Sequence, residues 1–258
     1  MGSSTASLPN PDSRRLLASA VRRSGRSTGV QLPIGFIKAD GADAPPLARM
    51  LRGGRGGEVR LKLYLSLSLL ATQKPYDIRR PIPARVWAAM LALDAPEVAG
   101  ARRVADALTW LADAKLIDLT RAPGTPPTIK LRNPTGDGKA YRRPRGRWVS
   151  VPLDFWSNEW ITHLSGSAVA LLLVLLELQG GVESAKDAPS ASGDRRRQYA
   201  LSDDTWTRAG RELIGQKLLT VHKRPQDQDF DWERVRNTYW VDKDRLRATP
   251  RLPEAARE

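Results

Sequence analysis

The sequence predicts an α+β fold built from two units of one kind in tandem, and two observations carry that prediction. Between Glu97 and Arg132 an amphipathic helical pattern runs into a short apolar strand, a Pro/Gly-rich tip and a second strand. The stretch Leu213 to Val221 (LIGQKLLTV) then aligns position by position with Leu111 to Leu119 (LADAKLIDL), 102 residues earlier. A helix running into a hairpin is therefore expected twice, each time through a Lys-Leu step.

Taken in order, residues 1–29 are rich in Ser, Pro, Gly and Arg, with Arg14, Arg15, Arg22, Arg23 and Arg26 around a short apolar run. They read as a basic arm, disordered on its own, that adds phosphate affinity at most. An Arg-rich mitochondrial presequence would look similar, but Asp12 and the early prolines weigh against it, and there is no secretory apolar segment. Val30 to Ile37 is expected as a short strand and Pro45 to Arg52 as a short helix with proline at its start. Gly53-Gly54-Arg55-Gly56-Gly57 is expected as a hinge, because a phosphate-cradling loop needs a strand before it and Lys-Ser or Lys-Thr after it.

Val59 to Gln73 satisfies both strand alternation and helical spacing, and its length and preference for leucine over β-branched residues favour a buried helix. Asp77 to Arg80 is expected as a small strand, and Pro83 to Leu93 as a helix with Val86, Met90 and Leu93 inward. Ala95-Pro96-Glu97 starts the next helix, with proline at the first position and an acid in the first turn. Its buried face should hold Val98, Ala101, Val104, Ala105, Leu108, Leu111 and Ala112, leaving Arg102, Arg103, Asp106 and Trp110 outside. The first unit spans residues 30–132.

Residues 133–147 (NPTGDGKAYRRPRGR) form a basic linker containing Lys139, Arg142, Arg143, Arg145 and Arg147. The second unit, residues 148–247, opens on WVSVPLDFW as an alternating strand, with Trp156 and Trp160 in core or junction packing. Ser167 could cap a helix through Leu178 that ends at Gly180-Gly181, and Val182 to Arg197 reads as a polar, mobile loop. A short strand at Tyr199 to Leu201 leaves little room for a second helix before Ser202 caps the next one, with Trp206, Ala209 and Leu213 inward and Thr205, Arg208, Arg211 and Glu212 outward. The second hairpin is long, with an acidic tip at Asp227 to Asp231 that reads as a solvated turn rather than a divalent-cation site. Residues 248–258 form a tail.

The order helix, small strand, helix, helix, hairpin resembles the winged-helix domains, and two such domains in tandem within one chain resemble, in architecture, the replication initiators of plasmids. That resemblance spans roughly residues 57–245. It implies double-stranded-DNA binding with a helix in the major groove and the hairpin beside it. The DNA-binding candidates are Arg102, Arg103 and Lys115 in the first helix, Arg121, Lys130 and Arg132 in its hairpin, and Arg208 and Arg211 in the second helix. One departure is that both helix ends carry Lys115 or Lys217 where the family usually has glycine in the left-handed conformation. The linker's Arg143-Pro144-Arg145-Gly146-Arg147 resembles an AT-hook core, in which Arg-Gly-Arg lies in a narrow minor groove, though Trp148 stands where that motif has proline. Arg142, Arg143, Arg145 and Arg147 thus join the candidates, as minor-groove or plain phosphate contacts.

A net charge of +14 and a pI near 10.6 agree with a polyanionic partner, because neutralised phosphates release their condensed counterions. Arginine outnumbers lysine about threefold, which suits bidentate contacts but also follows from GC-rich coding. The absence of cysteine excludes disulfides, thiol nucleophiles and Cys-ligated zinc, and His163 and His222 have no metal-binding spacing. No nucleophile with a base is apparent, so no enzyme, cofactor or metal is expected. The reading is a cytoplasmic, nucleoid-associated factor in transcriptional or replication control. Its alternative is a protein-docking winged-helix subunit of a chromosome-organising or other nucleoprotein complex, with the second unit, whose hairpin tip is acidic, offering a surface to a protein partner or second copy.

Overall fold

The computed structural model describes residues 11–54, 56–225 and 235–251. Helix α1 (Pro11–Ser24), strand β1 (Val30–Pro33) and two short helices, α2 (Ile34–Ile37) and α3 (Pro46–Leu51), lead to helix α4 (Gly57–Leu70). Helices α5 (Ala84–Met90) and α6 (Ala101–Asp113) follow, then a hairpin of β2 (Ile117–Thr120) and β3 (Thr128–Leu131). Strand β4 (Trp148–Val151) and short helices α7 (Asp154–Ser157) and α8 (Trp160–His163) precede helix α9 (Gly166–Gln179). Helices α10 (Gly193–Tyr199) and α11 (Asp203–Gly215) and a hairpin of β5 (Leu219–Pro225) and β6 (Val235–Val241) follow. The fold is α+β with small antiparallel sheets.

One order occurs twice. After α4, Asp77 bridges Lys130 of β3 before α5, α6 and the first hairpin; after α9, Ser190 bridges Thr238 of β6 before α10, α11 and the second. The central helices α4 and α9 are buried nearly all round, α9 with an almost wholly apolar sequence and α4 with Lys62, Ser66 and Ser68 buried among its leucines. This is why Val59 to Gln73 shows strand-like alternation within a helix: Leu61, Leu63, Leu65, Leu67 and Leu69 are all buried although they point to every side of it, as are Lys62, Tyr64, Ser66 and Ser68 between them.

The two Lys-Leu steps have the same geometry. Lys115 and Lys217 are left-handed, with φ of 59° and 57°. Each lysine N–H reaches back to the helix (Lys115 to Ala112 O, 2.9 Å; Lys217 to Ile214 O, 2.9 Å), and the next N–H reaches further (Leu116 to Leu111 O, 3.0 Å; Leu218 to Leu213 O, 2.9 Å). These bonds satisfy carbonyls that a helix end leaves open, and each is reinforced by a pair of buried leucines, Leu111 with Leu116 and Leu213 with Leu218. That combination holds a lysine where an L-residue costs about 1–2 kcal/mol.

The halves are joined by more than a linker. β1 pairs antiparallel with β4, from Val30 opposite Val151 to Pro33 opposite Trp148. The starts of α4 and α9 touch so closely that a Cβ on Gly166 would lie 2.7 Å from Cα of Glu58. Buried residues from both halves form one continuous apolar cluster.

Several expectations are corrected. Part of the expected disordered arm is helix α1, whose Leu17, Ala20 and Ser24 are buried against α4, α5 and α7, while Ser13 Oγ donates to Met90 O at 2.8 Å. Val98, expected inward, is 76% exposed, because Pro96 to Gly100 winds as a wider π-type turn and shifts its phase from α6. Trp110, expected outside, is half-buried under Arg60, whose guanidinium carbon sits 4.8 Å from the ring centre. The WVSVPLDFW strand ends at Val151, before Pro152, and continues as α7. Ser165, not Ser167, caps α9, accepting from Ala168 N at 3.1 Å.

The expected loop at Val182 to Arg197 instead contains most of α10, capped by Ser192 accepting from Arg195 N at 3.3 Å. Tyr199 ends that helix rather than beginning a strand. The acidic tip at Asp227 to Asp231 lies outside the described residues.

Candidate nucleic-acid interface

Helix α6 buries Val104, Ala107, Leu108 and Leu111, which leaves Arg102, Arg103, Asp106, Thr109 and Asp113 exposed. Among the described residues neither Arg102 nor Arg103 is in an ion pair. Arg103 nevertheless lies in the field of Glu58. Burial would raise that carboxyl's pKa, but the charge and hydrogen bond of Lys62, the N–H of Gly166 and the charge of Arg103 outweigh it and hold Glu58 below its ordinary value.

The hairpin folds back towards this helix: Arg121 Nη2 donates to Thr109 Oγ1 at 2.6 Å. Lys130 is half-buried beside the Asp77 bridge, and Arg132 is engaged in the sheet, donating through Nε to Asp118 Oδ1 at 2.6 Å. Lys115 is exposed at the left-handed helix end with its stem against Gly138. The structure thus gathers Arg102, Arg103, Arg121 and Lys115 on or beside one helix, interrupted by Asp106 and Asp113, while Asp118 neutralises Arg132.

In the second copy Arg208 is paired with Asp204 and Arg211 is exposed. Glu212, expected outward, turns back to α9: its Oε1 accepts from Ser165 N at 2.7 Å and its Oε2 from Ser165 Oγ at 2.5 Å. With Glu58 on Gly166 N–H, two carboxylates meet the positive end of α9. Arg196 pairs with Asp203 at 3.4 Å and stacks 4.3 Å from the centre of Trp206. Ile214 is 47% exposed at the end of α11.

The linker does not run free. Ala140 bridges Arg132, Tyr141 packs on Tyr76 with ring centres 4.5 Å apart, and Arg143 Nη2 donates to Thr72 O at 2.9 Å. Arg147 lies 3.5 Å from buried Glu177, which also holds Arg195 and accepts from Tyr199. Arg142 and Arg145 are exposed, and Gly146 is left-handed with open space beside it. Of the Arg-Gly-Arg pair, Arg147 is therefore engaged by a carboxylate of the protein, while Arg145 has no ion pair among the described residues.

Sequence reasoning left Arg79 and Arg80 out of the candidates, although both are exposed next to the Asp77 bridge. Adjacent arginines after a short strand were the available signal. No group of three His, Asp or Glu among the described residues could hold a metal ion, and no helix among them is long and apolar enough to cross a membrane. Comparison with protein-family models, with curated proteins and with solved structures finds no match.

Proposed function

We propose that this chain is a non-enzymatic double-stranded-DNA-binding protein of tandem winged-helix architecture, acting in transcriptional or replication control, with a plasmid or mobile-element replication initiator as its particular form. The observation that carries the reading is the repeated order of helix, bridged residue, helix, helix and hairpin, with the same left-handed lysine closure at both junctions. In such a unit the helix before the hairpin enters the major groove. Helix α6 supports that role best, since it presents Arg102 and Arg103 without carboxylate partners among the described residues on a chain of net charge +14.

The second copy favours a protein partner or second copy of the chain. Its helix α11 carries Asp203 and Asp204 at its start, which engage Arg196 and Arg208 and so leave fewer uncommitted cations for phosphate, and exposed Ile214 at its end, which an apolar contact would suit.

Binding of the full chain to random duplexes, measured across salt, tests the reading. Affinity should fall by orders of magnitude from low to moderate salt if six or more phosphates are neutralised. Replacing Arg102 and Arg103 with Ala should cost about 1–3 kcal/mol per base contact on a selected site, with little change in thermal midpoint. Unchanged affinity in the folded double variant would remove α6 from the interface.

A further inference from the structure

Arginines from three remote segments meet on one face around the end of α4. Arg23 comes from the last turn of α1, with Arg26 just beyond it; Arg79 and Arg80 follow the Asp77 bridge; Arg143 comes from the linker. Two clefts run between them and share Ser24, Gly25, Thr72 and Gln73. One, of about 330 Å³, is lined by Arg26 and Arg143, and the other, of about 280 Å³, by Arg23, Arg79 and Arg80 against the single carboxylate of Asp77, so cations outnumber acids five to one across the two.

What holds these side chains does not neutralise them. Arg26 donates to the last carbonyls of α4, through Nε to Leu69 O at 3.0 Å and through Nη2 to Ser68 O at 2.7 Å. Arg143 is tied to Thr72 O and Arg79 to Gln73 Oε1. Among the described residues none of the five arginines is in an ion pair, in contrast to Arg132, Arg147 and Arg208. Burial lowers the pKa of Arg26, opposed by Tyr141 and reinforced by the charge of Arg143, so at least these two guanidiniums feel each other. Like charges held together by neutral acceptors create a concentrated positive potential that an anion relieves.

The extent of the patch selects the anion. A single phosphate group would use a pair of guanidiniums, whereas five along two joined clefts are more than one phosphate can engage and suit an anion that carries several, as a nucleic-acid backbone does. Ser27, Thr28 and Thr72 add hydroxyls along the first cleft. We propose that this face is a second phosphate-binding surface, which grips the backbone of duplex DNA and contributes affinity without reading sequence. The proposal rests on the duplex-binding reading above and adds to it a site that includes α1 and the loop after α4.

The test uses the full chain, a labelled duplex and a salt titration, with R23A/R80A as the variant because both side chains are exposed and make no bond among the described residues. Losing two phosphate contacts should reduce the slope of log affinity against log salt by about 1.8 and weaken low-salt binding roughly tenfold, alike on every duplex sequence. R23K/R80K should restore the slope, since the grip needs charge rather than a planar fork. R102A/R103A in the same assay should instead alter discrimination between sequences. If the wild type binds duplex while R23A/R80A keeps its affinity and slope, the second surface is refuted and the duplex reading stands. If the wild type binds no duplex, both fall.

Discussion

Helices α6 and α11 share one backbone and one helix ending but carry their charges in opposite order. At a shift of 102 residues, Arg102 corresponds to Asp204 and Asp106 to Arg208. Asp204 and Arg208 form an (i, i+4) ion pair, whereas Arg102 and Asp106 form none among the described residues. The acid-first order is the favourable one on a helix, because it agrees with the macrodipole. Buried leucines and a left-handed lysine fix the geometry of the junction, while exposed positions are free to decide where an arginine is left without an ion pair among the described residues: Arg102 and Arg103 near the start of α6, and Arg211 two turns into α11. A repeat of backbone is therefore not by itself a repeat of ligand.

The largest expected effect tests the shared part of the comparison. Leu111 and Leu213 are both fully buried and accept the closing N–H of the following leucine through their backbone. Leu111→Ala and Leu213→Ala should each destabilise by about 2–5 kcal/mol, and because both halves share a continuous core each should shift one common urea transition. Two separated transitions would show that the halves are independent cores and that the β1–β4 pairing does not couple them.

How far the sequence reveals this depends on how local each cause is. The helix before each hairpin and α3 were legible because apolar spacing and proline placement act within one segment, whereas α4 fitted both periods and was read from its length and its leucines. The core role of α1 was not, since an Arg-rich helix of this kind folds only against α4, α5 and α7; Leu17, Ala20 and Ser24 on one face were its available signal. The pairing of Val30 with Val151 joins positions too far apart for any periodicity to link them. The π-type turn at Pro96 to Gly100 broke the helical phase that placed Val98 inward. The patch of Arg23, Arg26, Arg79, Arg80 and Arg143 exists only after folding, whereas the committed Arg132 and Arg147 looked in the sequence like any other arginine.

A smaller effect sharpens the likeness of the two helix ends. Glycine adopts the left-handed conformation without the side-chain penalty but loses more chain entropy on folding, so Lys217→Gly should stabilise by about 0.5–1 kcal/mol. Lys115→Gly should gain less, because the stem of Lys115 packs on Gly138 and that contact would be lost. Paired urea midpoints check this, and destabilisation by either glycine would mean that the lysine side chain contributes more than its backbone conformation costs.

The smallest expected change in stability goes with the sharpest functional one. Exchanging the charges of α6 in the variant Arg102→Asp/Asp106→Arg gives it the acid-first order of α11 while leaving the net charge and the buried face unchanged. An exposed pair in that order is worth roughly 0.3 kcal/mol, so the thermal midpoint should stay level or rise slightly. Duplex affinity should nevertheless fall, because the arginine at position 102 is replaced by a carboxylate and the one installed at 106 is engaged by it, as Arg208 is by Asp204. The reciprocal exchange in α11, Asp204→Arg/Arg208→Asp, should break the existing pair and leave an arginine unpaired near its start. If α11 faces DNA, that variant should bind duplex more tightly than wild type; if it faces a protein or a second copy, duplex affinity should stay level. Duplex affinity undiminished by the α6 exchange would mean that charge order on this helix has no part in binding, whatever the likeness of the two backbones.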